Sequence, residues 1–379
     1  MPGWRRGVAV VAVLLMVLIG GALLGSAVRG GSMFSNSAVS APSNPAPSGP
    51  SNAGSVNPSN GNANVAGGVT PALVNINTTL ANNSGEGAGT GMLISSNGLV
   101  LTNNHVIENA DSISVEIGGD GSSHSAKVLG YDMRDDVALI KVDGVSGLST
   151  IPVGDPNGVS VNDSIVVMGN ALGRGGEPST TQGTVTATDR QITATDQDGS
   201  NAETLTNMIQ VQADVQPGDS GGALVTADGK VIGMTTAAST GGFRFNESAE
   251  GVGFAIKIDK ALSIAKQIQN GQEVDGVHVG ARALLGVAIQ DNSAGLGGRS
   301  STTNGAVVTT VGPNTPADNA GIQQGDVITS IGNSSVHSSN DLQDILNGYH
   351  PDDKVKVSWT NGSGDAQSAT IKLTEGPPA

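Results

Sequence analysis

The sequence predicts a mainly β protein in two globular parts, and three observations carry that reading. From Val69 to Ile256, short runs of Val, Ile, Leu and Ala recur between turns rich in Gly, Asn, Ser and Asp, the signature of a sandwich or barrel. Aromatic residues are only 2% of the 379, so the cores must be assembled from aliphatic side chains, whose β-branched members favour strands. After Ile256 the apolar period lengthens from two to about 3.6, and a second set of short strands begins near Ala283. A chain of this length exceeds the usual single-domain range.

Taken in order, residues 7–28 carry no charge and as a helix would extend about 33 Å, enough to cross a hydrocarbon core of ~30 Å. Arg5 and Arg6 precede this segment and Arg29 follows it, so the positive-inside tendency leaves the N-terminus in the cytoplasm and everything else outside. The expectation is a single-pass transmembrane anchor over residues 1–29. The alternative is a signal peptide cleaved at the small residues Gly25-Ser26-Ala27, leaving a secreted product. Residues 30–66 are Ser, Asn, Pro and Gly with little apolar content, and ordering them would cost backbone entropy without compensating burial. They read as a disordered stalk.

Strand-like runs then follow at 71–77, 91–94, 99–101, 113–117, 126–131 and 137–142. A second group lies at 164–169, 183–187, 208–211, 222–225 and 230–234. Asp259 is placed to cap a helix in which Ala261, Leu262, Ile264, Ala265 and Ile268 share one face, ending before Gly271. That helix closes a first domain over 67–271. Residues 272–282 read as a connection, and a second domain occupies 283–376, with strands near 284–289, 305–308, 325–328 and 354–357 and a helix over 341–346.

Composition excludes several classes of function. Eighteen Lys and Arg against 33 Asp and Glu give a net charge of −15, with no basic run beyond the N-terminus, so nucleic acid is not an expected partner. Cysteine is absent. An exported chain of this kind must hold its fold by burial alone, and thiol nucleophiles and cysteine metal sites are ruled out. No metal-ligand spacing is visible, and the chemistry below needs no cofactor.

That chemistry is announced by Gly218-Asp219-Ser220-Gly221-Gly222. Glycines on both sides of a serine let the backbone turn its amides toward one point while the hydroxyl stands exposed, which suits a nucleophile beside an oxyanion hole. A serine hydroxyl is weak alone and needs an imidazole base held in one tautomer by a carboxylate. Of the five histidines, His124, His278, His337 and His350 lie among turn-forming residues or between domains, whereas His105 ends an apolar strand in Thr102-Asn103-Asn104-His105-Val106. Asp136 is the last acid before the apolar run 137–142; Asp135 is its nearest rival, and Asp132 reads as a solvated turn residue. The resulting chain order of His, Asp, Ser separates this arrangement from the order found in α/β-hydrolase esterases.

Four ordered motifs, Thr102-Asn103-Asn104-His105-Val106, Asp136-Val137-Ala138-Leu139-Ile140, Gln216-Pro217-Gly218-Asp219-Ser220-Gly221-Gly222-Ala223-Leu224 and Gly251-Val252-Gly253-Phe254-Ala255-Ile256, resemble the signatures of HtrA/Deg-type serine proteases. These are bacterial, trypsin-like enzymes carrying PDZ domains. The resemblance spans roughly residues 67 to 375. It implies a chymotrypsin/trypsin-like double β-barrel with the site in the cleft, followed by an α+β PDZ domain. It implies His105 as general base, Asp136 as its orienter, Ser220 as nucleophile, and an oxyanion hole at Gly218, Asp219 and Ser220. The implied function is endopeptidase cleavage of misfolded or regulatory exported proteins through an acyl-enzyme, on the outer side of a bacterial membrane. The alternative is a catalytically latent peptide-binding or chaperone protein acting through its PDZ domain.

Specificity should be set by residues just before the serine and by the strand and loop after Met234, which puts Asp214, Thr235 and Thr236 at the substrate pocket. Asp214 stands six positions before Ser220, where trypsin-like enzymes with basic specificity carry an acid; the family instead implies preference for small aliphatic residues. In the second domain, which resembles a bacterial PDZ domain, Leu285, Gly286 and Val287 form the expected carboxylate loop. A peptide would add as a strand along Val287 to Ile289, with Leu342 and Leu346 lining its side-chain pocket. Expected partners are therefore unfolded or C-terminally exposed polypeptides, and the membrane through the N-terminal segment. Family analogy implies a trimer, against which stand the scarcity of aromatics and the polar stalk.

Overall fold

The computed structural model describes residues 65–80, 85–196, 203–236, 243–245, 251–291 and 304–378. The expected membrane span and nearly all of the expected stalk lie outside the described residues. At the stalk's end, Val65 and Ala66 pack against the first core. Among the described residues no helix is long and apolar enough to cross a membrane.

The first barrel contains β1 (Leu73–Leu80), β2 (Glu86–Leu93), β3 (Leu99–Thr102), β4 (Ala110–Ile117), β5 (Ser123–Asp132) and β6 (Val137–Val142). Strand order β5-β4-β1-β2-β3-β6 closes on itself through a β5–β6 pairing, which leaves no open edge within the ring. The second barrel contains β7 (Ser164–Gly169), β8 (Ser179–Asp196), β9 (Glu203–Gln212), β10 (Ala223–Thr226), β11 (Val231–Thr236) and β13 (Val252–Lys257), with β12 (Phe243–Phe245) added beside β8. It closes in the same way through β8–β9. The interiors are aliphatic, as the composition requires: Leu73, Ile76, Leu101, Leu139 and Ile140 are fully buried in the first barrel, and Ile209 and Leu224 in the second.

The helix Ile258–Gln269 packs on β5 and β6 of one barrel and on β11 and β13 of the other. It buries Ile258, Ala261, Ile264, Ala265 and Ile268, each isoleucine contributing roughly 1.5–3 kcal/mol by leaving water. Two details differ from the sequence reading. The N-cap is Lys257, and Asp259 lies in the first turn, where its carboxylate accepts from the Lys260 amide; it is not the N-cap, because the helix starts one residue before it. Leu262 is only partly buried, its place on the face being taken by Ile258.

The connection between domains is also more structured than its polar sequence suggests. β14 (Val277–Val279) pairs with β5, and β15 (Arg282–Leu284) pairs with β22 (Thr374–Gly376). Buried Val277 and the backbone ladder supply what the flanking polar residues do not. On β14, His278 is sandwiched by Tyr131 and His350, with ring centroids 5.1 and 4.8 Å apart. The C-terminal domain is a sheet of β16 (Val287–Asp291), β17 (Ala306–Val311), β18 (Val327–Ile331), β20 (Lys354–Thr360) and β21 (Ala366–Lys372), with the short β19 (Ser334–Ser335) against β18. The helices Pro316–Ala320 and Ser339–Asn347 complete it. Its core, around Leu285, Ile328, Leu342 and Trp359, is separate from that of the barrels.

Candidate active site

His105 is carried by a single helical turn, Asn104–Ile107, directly after β3. The sequence placed it at a strand end; the extra turn is anchored by Asn103, whose side-chain amide donates to the Asp136 carbonyl at 2.8 Å. Asp136 occupies the left-handed region at φ 51° just before β6, which turns its carboxylate back toward that helix. Oδ1 accepts from the His105 amide at 3.1 Å, and the His105 Nδ1 lies 3.0 and 2.9 Å from the two carboxylate oxygens. An ionised carboxylate only accepts, so Nδ1 carries the proton and Nε2 is left as the basic nitrogen. Burial lowers the imidazole's proton affinity, but the Asp136 charge and hydrogen bond, with Glu108 more remotely, outweigh it and hold His105 above the ordinary histidine value.

The neighbouring acids have different roles. Asp135 pairs with Lys260 at 2.6 Å. Asp132 is 1% exposed rather than solvated, because β5 runs through it and pairs on both sides, with Val137 and with Val277. Its Oδ1 accepts from the Arg134 and Asp135 amides, yet burial pushes its carboxyl up to about 6.

Ser220 sits in the turn that leads into β10 of the second barrel and is 6% exposed. Gln216–Asp219 is a type II turn: the Asp219 amide donates to the Gln216 carbonyl at 3.0 Å, with Pro217 at the second position and Gly218 at φ 93°. A Cβ on Gly218 would stand 2.2 Å from the Asn170 carbonyl oxygen, and one on Gly221, at φ 81°, 2.0 Å from that of Thr90. Both positions therefore require glycine. The Pro217 carbonyl accepts from the Leu172 amide at 2.5 Å, and no protein acceptor takes the Gly218 N–H among the described residues.

Asp219 faces inward, 2% exposed, with Oδ2 accepting from the Gln216 amide at 2.8 Å and Oδ1 buried without a partner among the described residues. Burial, reinforced by nearby Asp214 and opposed by the Gln216 hydrogen bond, pushes its carboxyl up to about 6.

Two sets of hydrogen bonds join the serine turn to the His-Asp pair across the barrel seam. The Thr90 amide of β2 donates to the Ser220 carbonyl at 2.8 Å, while the Thr102 hydroxyl, three residues before His105, donates to the Thr90 carbonyl at 2.7 Å. On the other side, the Gly221 amide donates to the Thr235 carbonyl at 2.8 Å, and the Thr236 hydroxyl donates to Asp136 Oδ2 at 3.2 Å. Thr236, expected at the substrate pocket, thus has its hydroxyl on the carboxylate. Thr235 is 1% exposed and holds the turn through its backbone. Asp214 is exposed and accepts from Gln216 Nε2 at 2.5 Å. The contributions of Thr90, Asn170 and Leu172 escaped the sequence reading; the only local sign was Thr90 standing between two glycines.

In the C-terminal domain, Gly286 has φ 87°, and its carbonyl accepts from the Gly312 amide at 3.0 Å, while the Leu285 carbonyl accepts from Ala317 at 2.9 Å. Val287 and Ile289 lie on β16, which pairs with β17 alone and is an open sheet edge among the described residues. Leu342 is fully buried and Leu346 7% exposed, both within that domain's core. Glu273, His278 and His350 bring ligand-type atoms within 4.8 Å of one another. Both His278 ring nitrogens already face backbone carbonyls, of Asn347 at 3.0 Å and Ala281 at 3.1 Å, and the two imidazoles stack at 15°. That geometry suits hydrogen bonding between domains better than ligation.

Residues 89–234 match the trypsin-like peptidase domain and residues 283–373 the PDZ domain. Serine protease Do-like HtrA of Lactococcus lactis subsp. cremoris is 35% identical over 279 residues, covering 73% of this chain and 67% of that protein. The periplasmic pH-dependent serine endoprotease DegQ of Escherichia coli is 34% identical over 275 residues, covering 72% of this chain and 56% of its own length. Among solved structures, the HtrA-type protease AlgW with a tripeptide is 31% identical, covering 83% of this chain and 98% of that one, with a TM-score of 0.47.

Proposed function

This chain belongs to the HtrA-type serine proteases and is a serine endopeptidase, and from that premise we propose that its chemistry runs through Ser220, His105 and Asp136. Ser220 Oγ attacks the scissile carbonyl while His105 Nε2 takes its proton. The oxyanion that forms is received by the Gly218 and Ser220 amides, the expected Asp219 amide being engaged by the Gln216 carbonyl, and His105 then returns the proton to the leaving amine. Water repeats the sequence to release the acyl group. The observation that carries this reading is the Asp136 carboxylate closed over His105 Nδ1 at 2.9 Å, since that contact fixes the tautomer a base needs.

Substrates are proposed to be unfolded or C-terminally exposed polypeptides outside the cytoplasm, a setting supported by the periplasmic relatives and by the charge-free stretch at 7–28, read here as a single membrane anchor. The open edge of β16, beside the Leu285–Gly286–Val287 turn, is the proposed peptide site of the C-terminal domain. Because Asp214 is exposed and bonded to Gln216, a small aliphatic residue before the cleaved bond is favoured over a basic one. Cleavage of a reduced, unfolded protein by the native chain and by Ser220→Ala tests the assignment. The variant is expected to retain no measurable turnover, and undiminished cleavage by it would overturn the assignment.

A further inference from the structure

We infer that Thr90, a fully buried threonine of the opposite barrel, is the positioning residue that aims the Ser220 amide into the oxyanion site. This rests on the catalytic reading above and adds a residue to it. Thr90 is 0% exposed, and its polar groups meet the serine turn twice. Its hydroxyl donates to the Gly218 carbonyl at 2.6 Å, and its amide donates to the Ser220 carbonyl at 2.8 Å.

A peptide plane carries the carbonyl of one residue and the amide of the next. The Ser220 amide belongs to the plane shared with the Asp219 carbonyl, and that carbonyl accepts from the Gly222 amide at 2.9 Å. The Gly218 carbonyl belongs to the plane before it and the Ser220 carbonyl to the plane after it. Thr90 therefore grips both planes flanking the one that bears the Ser220 N–H, and it does so from β2, where it is itself paired with Asn75 of β1.

The same hydroxyl accepts from the Asn170 amide at 2.8 Å, so its proton and one of its two lone pairs are placed. Asn170 begins the short turn whose Leu172 amide holds the Pro217 carbonyl, so the plane bearing the Gly218 N–H is steadied through the same side chain. With glycines at 218 and 221 the turn has torsional freedom that would let these planes rotate. A donor on a preformed oxyanion site helps only if it is already aimed when charge develops.

The role is in orientation, not substrate binding or proton transfer, and the kinetic signature follows. Thr90→Val keeps shape and removes the hydroxyl; its kcat for a peptide substrate is expected to fall about 10- to 100-fold, toward the loss seen when an oxyanion donor is removed. KM and the pH midpoint of the rate should stay as in the native chain, because the His105–Asp136 pair is untouched. Thr90→Ser restores the hydroxyl and is expected to return kcat to near the native value. Native kcat in Thr90→Val, or a serine variant as slow as the valine one, overturns the inference. Should the valine variant not fold, Thr90→Cys, similar in volume and a weak donor, replaces it: reduced kcat at unchanged KM supports the role, and native kcat removes it. An inactive Ser220→Ala beside a fully active Thr90→Val would sink this inference alone, whereas an active Ser220→Ala would sink the catalytic reading beneath it.

Discussion

His105 is 18% exposed at its side chain and Asp136 6%, so their interaction is little screened by water. Catalysis by a neutral imidazole requires its proton to be lost. Since Asp136 and Glu108 together hold the histidine above 6.5 against the effect of burial, the rise of kcat/KM with pH is expected to have its midpoint above 6.5. A midpoint below that value in a pH–rate profile would contradict the geometry. Asp219 acts on stability in the same turn. Its folded-state carboxyl titrates at about 6 against an ordinary 3.8, so the folded chain holds the proton more tightly than the unfolded one. Its contribution is fully present below pH ~4 and is lost as pH rises through ~6. Asp219→Asn should therefore leave the melting temperature unchanged at pH 4 and raise it at pH 8, where the charged carboxylate costs about 3 kcal/mol. Equal effects of the variant at both pH values would show that the carboxyl is not desolvated as described.

Strands were the most legible elements, because buried aliphatic runs bounded by Gly, Asn and Asp leave few alternatives: the runs at 137–142 and 164–169 are β6 and β7 to the residue. Elements held by long-range partners were not legible. The turn bearing His105 depends on Asn103 reaching Asp136, and β14 depends on an edge of β5 that lies far away in sequence. Asp259 illustrates a different limit, where a good capping residue is bypassed because Ile258 is drawn into the core. At the site, the sequence motifs singled out His105 and Asp136, whose side chains the structure brings into contact, but the hydrogen bonds of Thr90 and Thr236 run across the barrel seam and no local pattern encodes them. The β16 edge gives an element-scale expectation. A peptide that adds as a strand with its terminal carboxylate at the Gly286 turn should bind at least about tenfold more weakly when amidated, since a charge-assisted contact is lost. Titration calorimetry with the two forms checks this, and equal affinities would remove the proposed carboxylate loop.

At the scale of the whole molecule, the chain builds a protease without cysteine and almost without aromatic residues. The first barrel's core continues through the helix Ile258–Gln269 to Met168, Met234 and Phe254 of the second barrel, which joins the two across the seam, while the second barrel's interior around Ile209 and Leu224 is a cluster of its own. His105 and Asp136 come from one side of this seam and Ser220 from the other, with Thr90, Thr235 and Thr236 stitching across it. The PDZ domain has its own core and joins the barrels through the β14 connection and the stacked His278. The most direct measurement of the central claim is the reaction of the native chain with a fluorophosphonate, followed by mass-spectrometric mapping of the adduct. Rapid formation of a single adduct on Ser220, faster at pH 8 than at pH 5, is the expected result. Labelling no faster than that of an ordinary surface serine, or an adduct on a different residue, would contradict it.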